Sequence, residues 1–324
     1  MKPRSAVRWL VHFLFWGLVR ARICWQVSWH FLHYRLLPWL AWPFGWLRNP
    51  RQAVVVWPEH TATLGPRVAL FCHFDAQGAV RSDVLRYVTA LRDAGYSVVV
   101  VSNSGALHPA AMAVLQPICA AVLVRRNIGL DFCAWREGLE LFGLPRDNTE
   151  SLLLANDSVY GPLQPLAPLF ARIATGDADV WGLTDSEQIR FHLQSYFLAV
   201  GATAMRSDAW RRFWDGVRPF PSKHLMIRRY EIGLTQSLTR AGLRCRAVWP
   251  IADMALPNRA SRTVNPTHDL WRQLLDAGFP FIKRELVRDN PARIADAAEW
   301  RKVVAGMDGA RLAEIEQDLV RVRP

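Results

Sequence analysis

From Arg67 onward, short apolar runs alternate with amphipathic stretches, and few architectures accept that order. Arg67–Phe74 (RVALFCHF), Ser97–Val101 (SVVVV), Ala121–Val124 and Ser151–Ala155 (SLLLA) read as buried strands. Between them, Ser82–Ala94, Pro109–Ile118 and Asp131–Leu141 carry helical spacing. This βαβαβαβ succession with short connections predicts an α/β fold, a Rossmann-type parallel sheet with helices on both faces. Its composition, 51% hydrophobic and 21% charged over 324 residues, suits a globular core and excludes a disordered or polytopic membrane chain.

In such sheets ligands bind beyond the carboxyl ends of the strands, so the polar residues just after each strand are the candidates. They are Asp75, then Asn103 and Ser104, then the RRNIGLD stretch with Arg126, Asn127, Gly129 and Asp131, and lastly Asn156, Asp157 and Ser158 of NDSVYG. No glycine-rich dinucleotide or P-loop signature follows any strand, and zinc-protease, nucleophile-elbow and Cys-x-x-Cys patterns are absent as well. Asp157 offers one rigidly held carboxylate flanked by an amide and a hydroxyl, a setting for Mg²⁺ or Mn²⁺ on a diphosphate. The structural alternative is an Asx turn capping the next helix.

Eight basic residues precede the first acid, Glu59, and seven of the 15 tryptophans lie within residues 1–52. At 100° per residue Arg8, His12, Arg22, Gln26, His30 and His33 share one stripe of an otherwise apolar circumference. Residues 1–52 are thus expected to be an amphipathic helical segment lying on an anionic membrane surface, the alternative being a helix packed on protein. No uninterrupted apolar run here reaches the roughly 18 to 20 residues of a bilayer span. Nothing in the rest of the chain proposes a nucleic-acid footprint. Five widely spaced cysteines, an odd number, fit a reducing compartment.

Read in order, RRNIGLDFCAWREGL, LLANDSVYGPL, DVWGLTDSEQ, HLQSYF and YEIGLT resemble the rhamnan synthesis protein F family of bacterial polysaccharide glycosyltransferases, over about residues 67–250. The resemblance implies a GT-A fold, with residues 60–178 as the donor half, 179–255 as the acceptor half and 256–324 as a C-terminal helical extension. It places Asp75, Asn103 and Ser104 on the base and ribose, and Arg126, Asn127, Gly129 and Asp131 near ribose and diphosphate. Asn156, Asp157 and Ser158 take the position of the Asp-x-Asp metal motif, although only the middle residue is acidic. The resemblance also implies L-rhamnose from dTDP-rhamnose as the donor sugar, a glycan or lipid-linked acceptor, and a peripheral location on the cytoplasmic face of the bacterial inner membrane.

In HLQSYFLAV, His192, Gln194 and Tyr196 alternate, so a strand there presents all three on one face to a sugar. An inverting displacement needs a carboxylate base from the acceptor half. Glu231 fits, opening the apolar stretch of YEIGLT where the resemblance places the base, with Tyr230 beside it to orient sugar. A first-turn glutamate favoured by the helix dipole is the structural alternative. The rival to an enzyme is a non-catalytic membrane-surface scaffold of a polysaccharide-assembly complex.

Overall fold

The computed structural model describes residues 52–58, 62–220, 223–255, 263–322 of the chain. The tryptophan-rich segment, with the membrane-docking expectation placed on it, lies outside them. The chain divides into two compact units, one of residues 1–50 with 220–225 and one of residues 51–219 with 226–324. Only the second is described below.

Its centre is a nine-stranded mixed sheet. Along it run β1 (Val54–Trp57), β4 (Ala121–Val124), β3 (Ser97–Ser102), β2 (Arg67–His73), β5 (Ser151–Asn156), β9 (Phe197–Gly201), β7 (Val180–Ser186) and β10 (Cys245–Trp249), with β8 (His192–Leu193) hanging on β7. Strands β4, β3, β2 and β5 are parallel, in registers such as Phe71 opposite Val100 and Ala155. Their interiors are Val, Leu, Ala, Phe and Cys without a charged residue, as strands covered on both faces require. Beyond β5 the antiparallel β9 joins the sheet to a second parallel pair, β7 and β10. The 179–255 stretch therefore extends the same sheet.

Helices cover both faces. Helix α1 (Ser82–Asp93) buries Val84, Tyr87, Val88 and Leu91, the i, i+3, i+4, i+7 stripe of an amphipathic helix, in one core with Ala69, Phe71, Val98 and Val100. Helix α2 (Pro109–Leu115) follows β3, starting on the side chain of His108. Helix α3 (Leu130–Phe142) lies on the opposite face: a Cβ at Gly138 would come within 3.3 Å of Leu70 and 3.5 Å of Val101. Residues 263–322, expected as a helical extension, share the main core through Trp271, Phe281, Leu286, Trp300 and Ile315. They also supply a strand, β11 (Ile282–Lys283), antiparallel to β6 (Val159–Tyr160) just after β5. The last helix described, α4 (Gly309–Val322), packs on α1. Among the described residues no helix is long and apolar enough to cross a membrane.

Candidate functional site

Because β3 and β4 succeed β2 on one side while β5 lies on the other, chain order reverses between β2 and β5. This is the switch point where open α/β sheets form a crevice. The Asn-Asp-Ser triplet stands at that spot. Asp157 N–H donates to the Cys72 carbonyl at 3.2 Å, and its carboxylate accepts from Phe74 N–H at 3.3 Å. Asn156 makes the Asx turn expected as the structural alternative, its amide oxygen accepting from Ser158 N–H at 3.1 Å and Ser158 Oγ at 2.6 Å. That turn leads into β6 rather than capping a helix.

Asp131 reaches the same turn from the start of α3, accepting from Asn156 Nδ2 at 2.7 Å and from Cys72 Sγ at 3.2 Å. Burial pushes its carboxyl up from the usual range, and the Asp157 charge adds to this, outweighing the bonds from Cys72 and Asn156. Arg126 and Asn127 are exposed on the loop before it. Gly129 turns that loop at φ 77°, where a Cβ would fall 2.2 Å from Cys133 Sγ.

The first three expected donor residues are held largely by the protein. Asp75 accepts from Gln77 N–H at 2.9 Å and Ala79 N–H at 3.0 Å, and its other oxygen meets Arg321 of α4. Burial raises its pKa, but the Ala79 amide, Arg321 and the Gln77 amide together hold it below the usual value. Asn103 is buried against Arg125, whose guanidinium also bonds Glu137 at 2.9 Å and the Ile128 carbonyl at 2.8 Å. Ser104 Oγ accepts from Asp75 N–H at 3.0 Å. These residues are fixed at the carboxyl ends of β2 and β3.

On the other side of β5, Glu231 enters the same neighbourhood. Its carboxylate accepts from the Ser195 amide at 3.0 Å and from Ser195 Oγ, and the next carbonyl, of Tyr196, accepts from Asn156 N–H at 3.2 Å. One residue step thus separates the glutamate's anchor from the Asn-Asp-Ser strand. Glu231 closes a single π-helical turn, Ile227–Glu231, before α5 (Ile232–Arg240), so it is not a free first-turn residue. Such turns often sit at functional sites. His192 donates Nδ1–H to the Arg190 carbonyl at 2.8 Å and turns Nε2 to Glu231 at 3.6 Å. Burial pulls the His192 pKa down and the Glu231 pKa up, yet the pair reverses both: His192 lies above its ordinary value and Glu231 below.

The expected sugar-facing row is not a row. A turn at Ser195–Tyr196 separates β8 from β9, so the two-residue alternation is broken. Gln194 is buried between Thr184 Oγ1 at 2.7 Å and Asn265 Oδ1 at 3.1 Å. Tyr196 is buried with its hydroxyl on Thr184 at 2.7 Å. Tyr230 corrects the expectation most clearly: it is 2% exposed, packs against the Phe132 ring at a tilt, and bonds the Arg218 backbone instead of facing the site. Its hydroxyl is consumed by a loop that needs the bond.

A match to the rhamnan synthesis protein F model spans residues 98–300. The chain belongs to the rhamnan synthesis protein F family. Virulence protein VirA of Vibrio anguillarum is 31% identical over 252 residues, covering 69% of this chain and 80% of that protein. Uncharacterized protein y4gN of Sinorhizobium fredii is 27% identical over 210 residues, covering 63% and 54%. Among solved structures, the mannosyltransferase PcManGT from Pyrobaculum calidifontis, in complex with GDP-Man and Mn²⁺, matches at 13% identity. It covers 91% of this chain and 97% of that one with a TM-score of 0.34. The family expected from the motifs holds, and membership supports the glycosyltransferase class.

Side chains that sequence reasoning missed surround Asp157. Arg81 Nη1 lies 3.3 Å from its carboxylate, and Arg284 lies 3.8 Å from it while donating to the Asp157 carbonyl at 3.3 Å. Lys283 Nζ donates to Ser158 Oγ at 2.9 Å. For Lys283 and Arg284 the sequence signal was the basic pair that ends FPFIKR. Among the described residues no group of three or more His, Cys, Asp or Glu could hold a metal ion. Asp157 as sole carboxylate of the triplet, with guanidinium groups on it, fits a resident Mg²⁺ or Mn²⁺ poorly, since hard cations want several open oxygens.

Proposed function

We propose that this chain is an inverting glycosyltransferase of GT-A type, moving a sugar from a nucleoside diphosphate donor to a growing cell-surface polysaccharide or lipid-linked glycan. The observation that carries this is Glu231, an ionised carboxylate fixed by Ser195 one residue from the strand that delivers Asn156 and Asp157 to the switch point. Family membership supports L-rhamnose, delivered as dTDP-rhamnose, as the sugar.

In this reading the acceptor hydroxyl attacks the anomeric carbon from the Glu231 side and gives its proton to that carboxylate. A new C–O bond forms as the bond to the β-phosphate breaks, and the nucleoside diphosphate leaves with the electron pair toward the Asn-Asp-Ser turn. Isothermal titration with dTDP, UDP and GDP, with and without Mn²⁺, tests the donor site. Saturable binding of one diphosphate is expected; a scaffold would bind none of them, and that result would end the enzyme reading.

A further inference from the structure

The reaction just proposed releases a diphosphate carrying new negative charge, and something positive must meet it at the Asn-Asp-Ser turn. Resting on that reading, we propose that Lys283 and Arg284 are this cationic seat: direct contacts to the donor's diphosphate, supplied by the protein from β11. Three features of the structure converge on the pair.

First, the pairing of β11 with β6 sets Lys283 opposite Val159, one residue past Ser158. The ammonium group reaches Ser158 Oγ at 2.9 Å across 125 positions of sequence, and Arg284 N–H donates to the Ser158 carbonyl at 3.1 Å. A strand of two residues is thereby fixed to the turn by main-chain and side-chain bonds together. Second, Lys283 Nζ lies 4.8 Å from the centroid of the Tyr196 ring, next to the residue that anchors Glu231. Lys283 therefore touches both the Asn-Asp-Ser turn and the residue that follows the glutamate's anchor. Third, Lys283 and Arg284 are half-buried, whereas Arg81, the other cation on Asp157, has only 3% of its side chain exposed and is held by both oxygens of Asp83; Arg284 shares Asp318 with it at 3.3 Å but keeps 16% of its side chain exposed. An ammonium group serves a phosphate as a point charge, and a guanidinium adds directed donors.

Binding of dTDP and dTMP to the full chain, measured by titration calorimetry in EDTA, tests this. The dominant expectation is that Lys283→Met weakens dTDP by at least about tenfold, the scale of one lost charge-assisted bond, and leaves dTMP within about threefold. Lys283→Arg should restore most of the dTDP affinity, which a merely structural lysine would not require. Arg284→Gln should act in the same direction, and circular dichroism checks that each variant folds. If the wild type binds dTDP and Lys283→Met binds it equally well, the seat is wrong while the glycosyltransferase reading stands. Equal weakening of dTMP and dTDP would also overturn it, because the contact would then not be to the terminal phosphate. Failure of the wild type to bind dTDP, UDP or GDP removes the enzyme reading and this proposal with it.

Discussion

At the scale of single residues the decisive pair is His192 and Glu231. With Nδ1–H given to the Arg190 carbonyl, a neutral His192 would aim its Nε2 lone pair at a carboxylate 3.6 Å away. Protonation removes that conflict, so the histidine pKa rises above its ordinary 6.5 and that of Glu231 falls below 4.5, both against the pull of burial. For stability, the raised histidine contributes fully below pH 6.5 and loses its share as pH climbs through its folded pKa. The depressed glutamate contributes above pH 4.5 and loses its share as pH falls through its own. The pair is therefore strongest between those two ordinary values. In catalysis, Glu231→Gln should lower turnover by about 100-fold or more with donor affinity unchanged. His192→Gln should keep the base but raise its pKa, moving the acid limb of the rate–pH profile upward. An acid limb that stays put in His192→Gln would mean that Glu231 is not the group titrating, and the base would be sought at Asp185, which the Ile251 amide holds at 2.7 Å.

Among the elements, the loop from β4 into α3 shows how local geometry fixes a site residue. Gly129 at φ 77° and Leu130 at φ 51° reverse the chain so that Asp131 enters α3 pointing at Asn156. A Cβ at position 129 would strike Cys133 Sγ at 2.2 Å and its Cβ at 2.8 Å, with Pro219 at 3.1 Å. Gly129→Ala should cost about 2 kcal/mol in urea denaturation, from strain at positive φ plus the clash. Adding Cys133→Ala should recover only part, since the backbone strain remains; a Gly129→Ala midpoint equal to wild type would refute the account. This much was legible beforehand. The run SVVVV and the helix after RRNIGLD lie within a residue or so of their predicted limits, because period and apolar runs are local signals. What stayed hidden depends on distant partners. The turn at Ser195–Tyr196 exists because β9 must leave β8 to join β5, and Lys283 reaches Ser158 only after the chain returns from afar. No window of sequence contains either constraint.

For the molecule as a whole, α4 ties the C-terminal stretch into the main core and to the residues around Asp157. Ile315 and Leu319 are buried in the main core, and Asp318, 5% exposed, accepts from the Tyr160 hydroxyl at 2.7 Å and from Arg284 at 3.3 Å, with Arg81 at 3.7 Å. It is the counter-charge for two of the cations that surround Asp157. Losing one member of a buried ionic group leaves the remainder uncompensated, whereas an exposed pair is screened by water. The same helix carries both cases, since Glu316 meets Arg301 at 2.9 Å with both side chains about half exposed. Asp318→Asn keeps size and removes charge, so it should lower the unfolding free energy by about 3 kcal/mol. Glu316→Gln should change it by less than about 1 kcal/mol. Chemical denaturation of the two variants side by side makes the comparison. Were Asp318→Asn as stable as Glu316→Gln, the arginines around Asp157 would not need a carboxylate from α4, and the helix would be held by apolar packing alone.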